Sequence, residues 1–326
     1  MYFIGVDLGT SAVKHLLMEE SGKICNIVSK EYPLFFPHPG WSEQNPEDWY
    51  TQSMAGMKEL TEGIDRSQVA GISFGGQMHG LVTLDDQDQV IRPAILWNDG
   101  RTSEETDYLN NVIGKDKLSQ YTANIAFAGF TAPKILWMKK NEPEKFAKVV
   151  KIMLPKDYLA YRLSGSFCTD VSDASGMLLL DVKNRCWSKE MMEICGVKEE
   201  QLPKVYESWE VVGTLKPEVA KELGFSENVK VIAGAGNKYS SRSTKGNITL
   251  SITNCSSTNS CCRIVTCSCY DFDICGETKF LCNFRFQCSN NFPALIQLRE
   301  LFFFYITDFH HFFRPAAILY IQKKHT

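Results

Sequence analysis

Apolar and polar positions divide the first eighty residues into short elements. Tyr2–Leu8 is an apolar run that ends in Asp7-Leu8-Gly9-Thr10-Ser11. Residues 12–18 form a second run, Glu19-Glu20-Ser21-Gly22 a polar turn, and residues 24–29 a third run. Runs this close together must pair antiparallel, because a parallel crossover needs a dozen residues or more. Asn45-Pro46-Glu47-Asp48 then reads as a helix start: a capping amide, a proline in the first turn, and acids beside the positive helix end. The helix is expected to reach about Leu60, with Trp49, Met54, Met57 and Leu60 in the core. Residues 69–74 are a further strand, and 81–84 and 90–96 frame the turn Asp85-Asp86-Gln87-Asp88. From 115 to about 230 the pattern is mostly helical with short strands: helices open at Pro143 and Pro217, and a late strand over 229–233 leads into Gly234-Ala235-Gly236. Strands first meandering and then alternating with helices describe an α/β domain. There is no internal repeat.

Composition changes part-way along the chain. All six Trp and 20 of the 22 Gly precede residue 237, whereas eight of the 12 Cys and 11 of the 20 Phe follow it. Residues 1–236 carry 25 basic against 33 acidic side chains, a net −8, and residues 237–326 carry 10 against 5, a net +5. The chain is therefore read as two unlike pieces, 1–236 and 237–326. A total of −3 argues against nucleic acid or an anionic membrane as the main partner. The N-terminus has no basic leader, and the apolar stretch 301–320 is interrupted by Asp308, His310, His311 and Arg314. A cytoplasmic protein is expected.

Three segments of the first piece carry candidate chemistry. At the first hairpin, Gly9 lets the backbone approach a ligand, Thr10 and Ser11 offer hydroxyls and N–H groups, Asp7 could hold Mg²⁺, and Lys14 could offset phosphate charge. The same residues also suit a plain turn with a capping aspartate, and the chain has no Walker A loop. Gly75-Gly76-Gln77-Met78-His79-Gly80 follows a strand and offers Gln77 and His79 to hydroxyls, or is a glycine-rich turn with one incidental histidine. Trp97-Asn98-Asp99-Gly100-Arg101 packs an aromatic, an amide, an acid and a guanidinium into five positions. That mixture suits a polyol, and it also suits a strand end with an internal Asp99–Arg101 pair.

Taken together these segments resemble the N-terminal domain of the FGGY family of carbohydrate kinases. The likeness runs through 7–14, His38-Pro39-Gly40-Trp41-Ser42-Glu43-Gln44, 75–80, 93–101, Gly129-Phe130-Thr131-Ala132-Pro133-Lys134-Ile135-Leu136-Trp137, Leu154-Pro155-Lys156-Asp157-Tyr158 and 169–176. Gln77–Gly80 and Trp97–Arg101 are similar to the xylulose-phosphorylating branch rather than the glycerol-phosphorylating one. The resemblance implies a ribonuclease-H-like, actin-like ATPase fold, of which 1–236 is one of two halves that enclose sugar and ATP. It implies MgATP-dependent conversion of D-xylulose to D-xylulose 5-phosphate. The implied sugar contacts are Met78 and His79, with Gln77, Trp97, Asn98, Asp99 and Arg101 as further candidates. Asp7 is the implied Mg²⁺ and phosphate residue, and Gly9, Thr10, Ser11 and Lys14 the nucleotide contacts. A homodimer is the one assembly considered.

The likeness stops near residue 237. Asn237 stands where the family has its catalytic aspartate, Lys238 replaces the amide expected next, and an amide cannot take up the proton. The cysteine spacing of the tail 237–326 includes no C-x-x-C and no nearby histidine pair to support a metal site. Ser240-Ser241 falls where the family shows small alanines, and AGC codons read one nucleotide out of register become alanine codons. An unrelated, disordered and frame-shifted tail is the favoured expectation. Two alternatives to a xylulose kinase stay open: an inactive fragment that binds sugar weakly, and a kinase for another sugar such as ribulose or gluconate.

Overall fold

A computed structural model describes residues 1–236 and, beyond them, the backbone of Ile252–Thr253, Arg263–Ile274, Glu277–Cys288 and Phe302–Tyr305. The chain divides into two compact units, Met1–Asn237 and Lys238–Thr326. In the second unit the four strands pair antiparallel in sequence order. Asn237 lies outside the described residues. So do the expectations of disorder, of cysteine chemistry and of a shifted frame in the tail, which rest on undescribed positions or side chains.

The first unit is built on a seven-stranded sheet. Strands β1 (Tyr2–Leu8), β2 (Ala12–Glu19) and β3 (Ile24–Glu31) form the expected antiparallel meander. β4 (Val69–Gly76) lies parallel to β1 on its other side. The sheet then adds β5 (Val211–Thr214), β6 (Lys230–Ile232) and β7 (Ala235–Gly236) in the order β5-β6-β4-β1-β2-β3, with β7 paired to the far end of β4. β6 and β7 follow the same edge of β4 and are separated at Gly234, whose φ is +78°. A side chain there would meet the Phe74 carbonyl oxygen at 2.1 Å, so only glycine fits. The pairings Leu8↔Gly76 and Gly236↔Gly76 bring the C-terminal ends of three parallel strands to one edge. Ligands of open α/β sheets bind at such an edge.

Helix α1 (Pro46–Leu60) starts where the cap pattern predicts: the Asn45 side chain accepts from the Glu47 N–H at 3.3 Å. Trp49, Met54, Met57 and Leu60 are all buried, as the 3.6-residue period requires. Each such side chain contributes about 1.5–3 kcal/mol when fully buried. α1 approaches the sheet closely at Gly56, where a Cβ would sit 2.3 Å from the His15 ring.

Two helices fall inside the stretch read as mostly helical, without bounds marked by the pattern, α2 (Thr131–Asn141) and α3 (Pro155–Ser164). Both are buried over most of their surface and carry Lys134, Lys156 and Asp157 inside, so neither shows a clean amphipathic stripe. The strand read over 90–96 shortens to Ala94–Ile95, paired with Glu43–Gln44. Pro93 has no N–H to extend the ladder. The unit holds two apolar clusters. One lies under the sheet around α1 and α3, and the other surrounds α2. No helix among the described residues is long and apolar enough to cross a membrane.

Candidate active site

The β1–β2 hairpin is held by side chains that seize its carbonyl groups. The Gln44 amide donates to the Thr10 carbonyl at 2.6 Å, and the Gln77 amide donates to the Gly9 carbonyl at 3.4 Å. The Tyr32 hydroxyl also donates to the Gly9 carbonyl, and burial holds its proton on well above the usual phenol range. Gln44 is a hub, because its carbonyl oxygen accepts from Gln77 at 3.0 Å and from the Trp49 indole at 3.1 Å. With both carbonyls drawn inward, the N–H groups of Thr10 and Ser11 have no partner among the described residues. Successive N–H groups left open in a tight turn make a concavity for an anion. Asp7 and Lys14 are direct cross-strand partners and therefore project from one face of the hairpin. Among the described residues no three His, Cys, Asp or Glu side chains gather to hold a metal by themselves. A cation here would share Asp7 with the oxygens of the phosphate that it accompanies.

The sugar candidates separate into two sets. Met78 and His79 are half-buried just past β4, and Trp97 and Asn98 are exposed beside them. The Trp97 indole donates to the Thr10 hydroxyl at 2.9 Å, which ties this wall to the hairpin turn. His79 has φ +65°, uncommon for a residue with a side chain. Its Nδ1 lies 2.8 Å from the Gly176 carbonyl oxygen, and its ring stacks on Phe130 with centroids 4.5 Å apart. A carbonyl can only accept, so Nδ1 carries a proton, and in the neutral tautomer Nε2 would be an acceptor suited to a hydroxyl.

The second set does not face the site. Gln77 is 5% exposed and spends its amide on Gln44 and Gly9, so it supports the hairpin turn. Asp99 and Arg101 form the internal pair that the sequence left as one of two readings, at 2.8 Å with side chains 0% and 1% exposed. Asp99 also accepts from the Ser42 N–H at 2.6 Å, and Arg101 pairs with Glu43 at 2.7 Å. The Arg101 guanidinium lies 3.7 Å from the Trp41 ring centroid and 4.9 Å from that of Trp137. Asp99 and Arg101 are thus buried and paired, next in the chain to the exposed Trp97 and Asn98.

Beneath Gly76 lies a charged cluster that the pattern did not reveal. Lys156 is fully buried, with Asp157 at 2.6 Å, Asp170 at 3.0 Å and Asp173 at 3.7 Å. The three carboxylates hold the ammonium proton well above the usual lysine range against the opposing effect of burial, and burial raises Asp157. The ammonium also reaches the Ala233 carbonyl at 3.5 Å, at the break between β6 and β7. A Cβ on Gly76 would meet Lys156 Cβ at 2.9 Å, and one on Gly236 would meet Asp173 Oδ1 at 2.4 Å. These glycines let the strand ends close over the cluster. The available signal was Lys156-Asp157 inside the apolar stretch Leu154–Ala160, since charged residues are seldom fully buried unless paired.

Residues 2–242 match the N-terminal domain of the FGGY family of carbohydrate kinases. The chain belongs to this family. It is similar to a xylulose kinase of Escherichia coli (strain K12), 44% identical over 234 residues that cover 72% of this chain and 48% of that protein. Among solved structures, a xyloylose kinase from Brucella ovis superposes with a TM-score of 0.70 at 40% identity, covering 73% of this chain and 49% of the other. A gluconate kinase from Lactobacillus acidophilus superposes with a TM-score of 0.69 at 32% identity, covering 72% and 48%. The chain thus spans about half the length of these relatives. The actin-like ATPase fold expected of residues 1–236 is the fold of these neighbours.

Proposed function

We propose that residues 1–236 form the sugar-binding and phosphate-contacting part of an ATP-dependent pentulose kinase, with D-xylulose the substrate and D-xylulose 5-phosphate the product. The observation that carries this reading is the Trp97–Thr10 contact, which sets a hydroxyl-binding wall against an anion-binding turn at the end of β1. The donor set of that turn fits a polyphosphate and its cation. Bound MgATP supplies the transferable phosphoryl group and the positive charge that offsets its oxygens. The N–H groups of Thr10 and Ser11, with Lys14, would hold phosphate oxygens, and Asp7 would hold the cation or its waters. Nε2 of His79 accepts from a sugar hydroxyl, and Met78 and Trp97 cover the C–H surface. Holding a hydroxyl in line with a phosphoryl group supplies much of the catalysis in such reactions.

Relatives named as xylulose kinases favour the pentulose, and the neighbour named as a gluconate kinase supports a second reading in which another sugar occupies the same wall. Asn237 favours a third, in which the chain binds sugar without turning it over. A coupled ADP-release assay with MgATP separates them, run in turn with D-xylulose, D-ribulose, gluconate and no sugar. Turnover with D-xylulose above the no-sugar rate is the result expected of a competent kinase. Turnover with gluconate alone reassigns the substrate. Saturable D-xylulose binding without ADP release assigns a binding role.

A further inference from the structure

His79 sits in a backbone conformation that a residue with a side chain rarely adopts, φ +65°. Such a conformation persists where the surroundings over-determine it. Two donors from the first turn of α2 meet its carbonyl oxygen: Lys134 Nζ at 2.8 Å and the Thr131 hydroxyl at 3.1 Å. Lys134 is fully buried, and its ammonium also donates to the Gly129 carbonyl. Gly129 in turn lies under Trp97, where a Cβ would come within 2.4 Å of the Trp97 carbonyl oxygen. On its other side the His79 ring is fixed by Gly176 and Phe130. A lysine is costly to bury, and no carboxylate forms an ion pair with this one among the described residues. Burial pushes its ionisation down to about 7, with the Asp99 carboxylate opposing that shift. Its fixed bonds run to two backbone carbonyls, one on the His79 loop and one on the loop beneath Trp97.

We propose that Lys134 is a positioning residue for the sugar site: with Thr131 it clamps the His79 carbonyl, holds the left-handed backbone at that position, and so aims the imidazole acceptor without touching the sugar. This rests on the reading that His79 meets a sugar hydroxyl. The clamp has a consequence for selectivity. Only a ring held with Nδ1 on the Gly176 carbonyl presents Nε2 as an acceptor. Losing the clamp lets the backbone relax and turns the acceptor away, which weakens binding of any pentulose that offers a hydroxyl there.

The test uses the full chain with ¹⁵N-labelled histidine and calorimetric titration with D-xylulose, on wild type, Lys134→Met, Thr131→Val, His79→Ala and the double variant His79→Ala/Lys134→Met. Circular dichroism establishes that each is folded at the working temperature. For Lys134→Met we expect at least a tenfold weaker affinity and loss of the single Nδ1–H tautomer signal of His79. Thr131→Val should show the same changes at smaller size, and it decides the matter if Lys134→Met does not fold. The double variant should bind no more weakly than His79→Ala alone. A folded Lys134→Met or Thr131→Val that keeps both the tautomer and the wild-type affinity overturns the proposal, as do losses that simply add in the double variant. If wild type binds no pentulose, the sugar reading fails on its own, and the tautomer signal still decides whether the clamp holds His79.

Discussion

Removing the Lys156 ammonium takes away the cation that Asp157, Asp170 and Asp173 share. All three are at most 2% exposed, and they lie 2.6, 3.0 and 3.7 Å from the lysine nitrogen. The perturbation is Lys156→Met, which keeps the stem packed under Gly76 and removes only the charge. Breaking a buried ion pair by deleting one partner costs about 3–5 kcal/mol. Domain stabilities are about 5–15 kcal/mol, so the variant should be folded but markedly weaker at pH 7. Its carboxylates would hold protons in the folded state at a pH where the unfolded chain has released them. The folded state then binds more protons than the unfolded one, and stability falls as pH rises. The gap between wild type and variant should therefore narrow as pH is lowered from 7 toward 5. Adding Asp157→Asn to the variant should recover part of the loss at pH 7. Urea unfolding followed by tryptophan fluorescence measures this in the first unit alone, because all six Trp precede residue 237. A Lys156→Met chain as stable as wild type at pH 7, or a gap that does not change with pH, would refute the argument.

Three further outcomes follow from other residues. His15 is fully buried, and burial lowers its ionisation from 6.5 to about 4, so the fold should lose up to about 3 kcal/mol as pH falls from 6.5 to 4; His15→Leu should flatten that slope in acid-unfolding curves. Gln77→Leu should weaken binding of a non-hydrolysable MgATP analogue while leaving D-xylulose affinity within about twofold by calorimetry, because its amide serves the hairpin turn; the reverse ranking would return Gln77 to the sugar wall. Gly129→Ala should displace Trp97 and cost about 1–3 kcal/mol in urea unfolding, since the new Cβ would lie 2.4 Å from a backbone oxygen.

Much of the first unit is legible in its residues. β2 and α1 show themselves because one face of each is buried, which imposes periods of 2 and 3.6, β1 because burial on both faces makes it a continuous apolar run, and Asn45-Pro46 marks the helix start chemically. The hairpin turn is legible for the same reason: Asp7, Gly9, Thr10 and Ser11 are adjacent in the chain and stay adjacent in the fold. What the residues cannot show is direction. Trp97 and Arg101 are four positions apart, yet one is exposed and the other lies between two tryptophan rings. Gln77 neighbours Met78, yet its amide turns inward to Gln44 across 33 residues of sequence. Lys134 and Lys156 look like surface lysines until the fold buries them. Partners distant in sequence decide each of these cases, and local pattern carries no record of them.

Binding of D-xylulose to the intact chain, followed through tryptophan fluorescence, tests the central claim most directly. Trp97 is 46% exposed and bonded to the Thr10 hydroxyl, so a sugar on this wall changes its surroundings. The account predicts a saturable change that is lost in Trp97→Phe and at least tenfold weaker in His79→Ala. A folded chain whose fluorescence does not respond to D-xylulose, or responds equally well without His79, would contradict it.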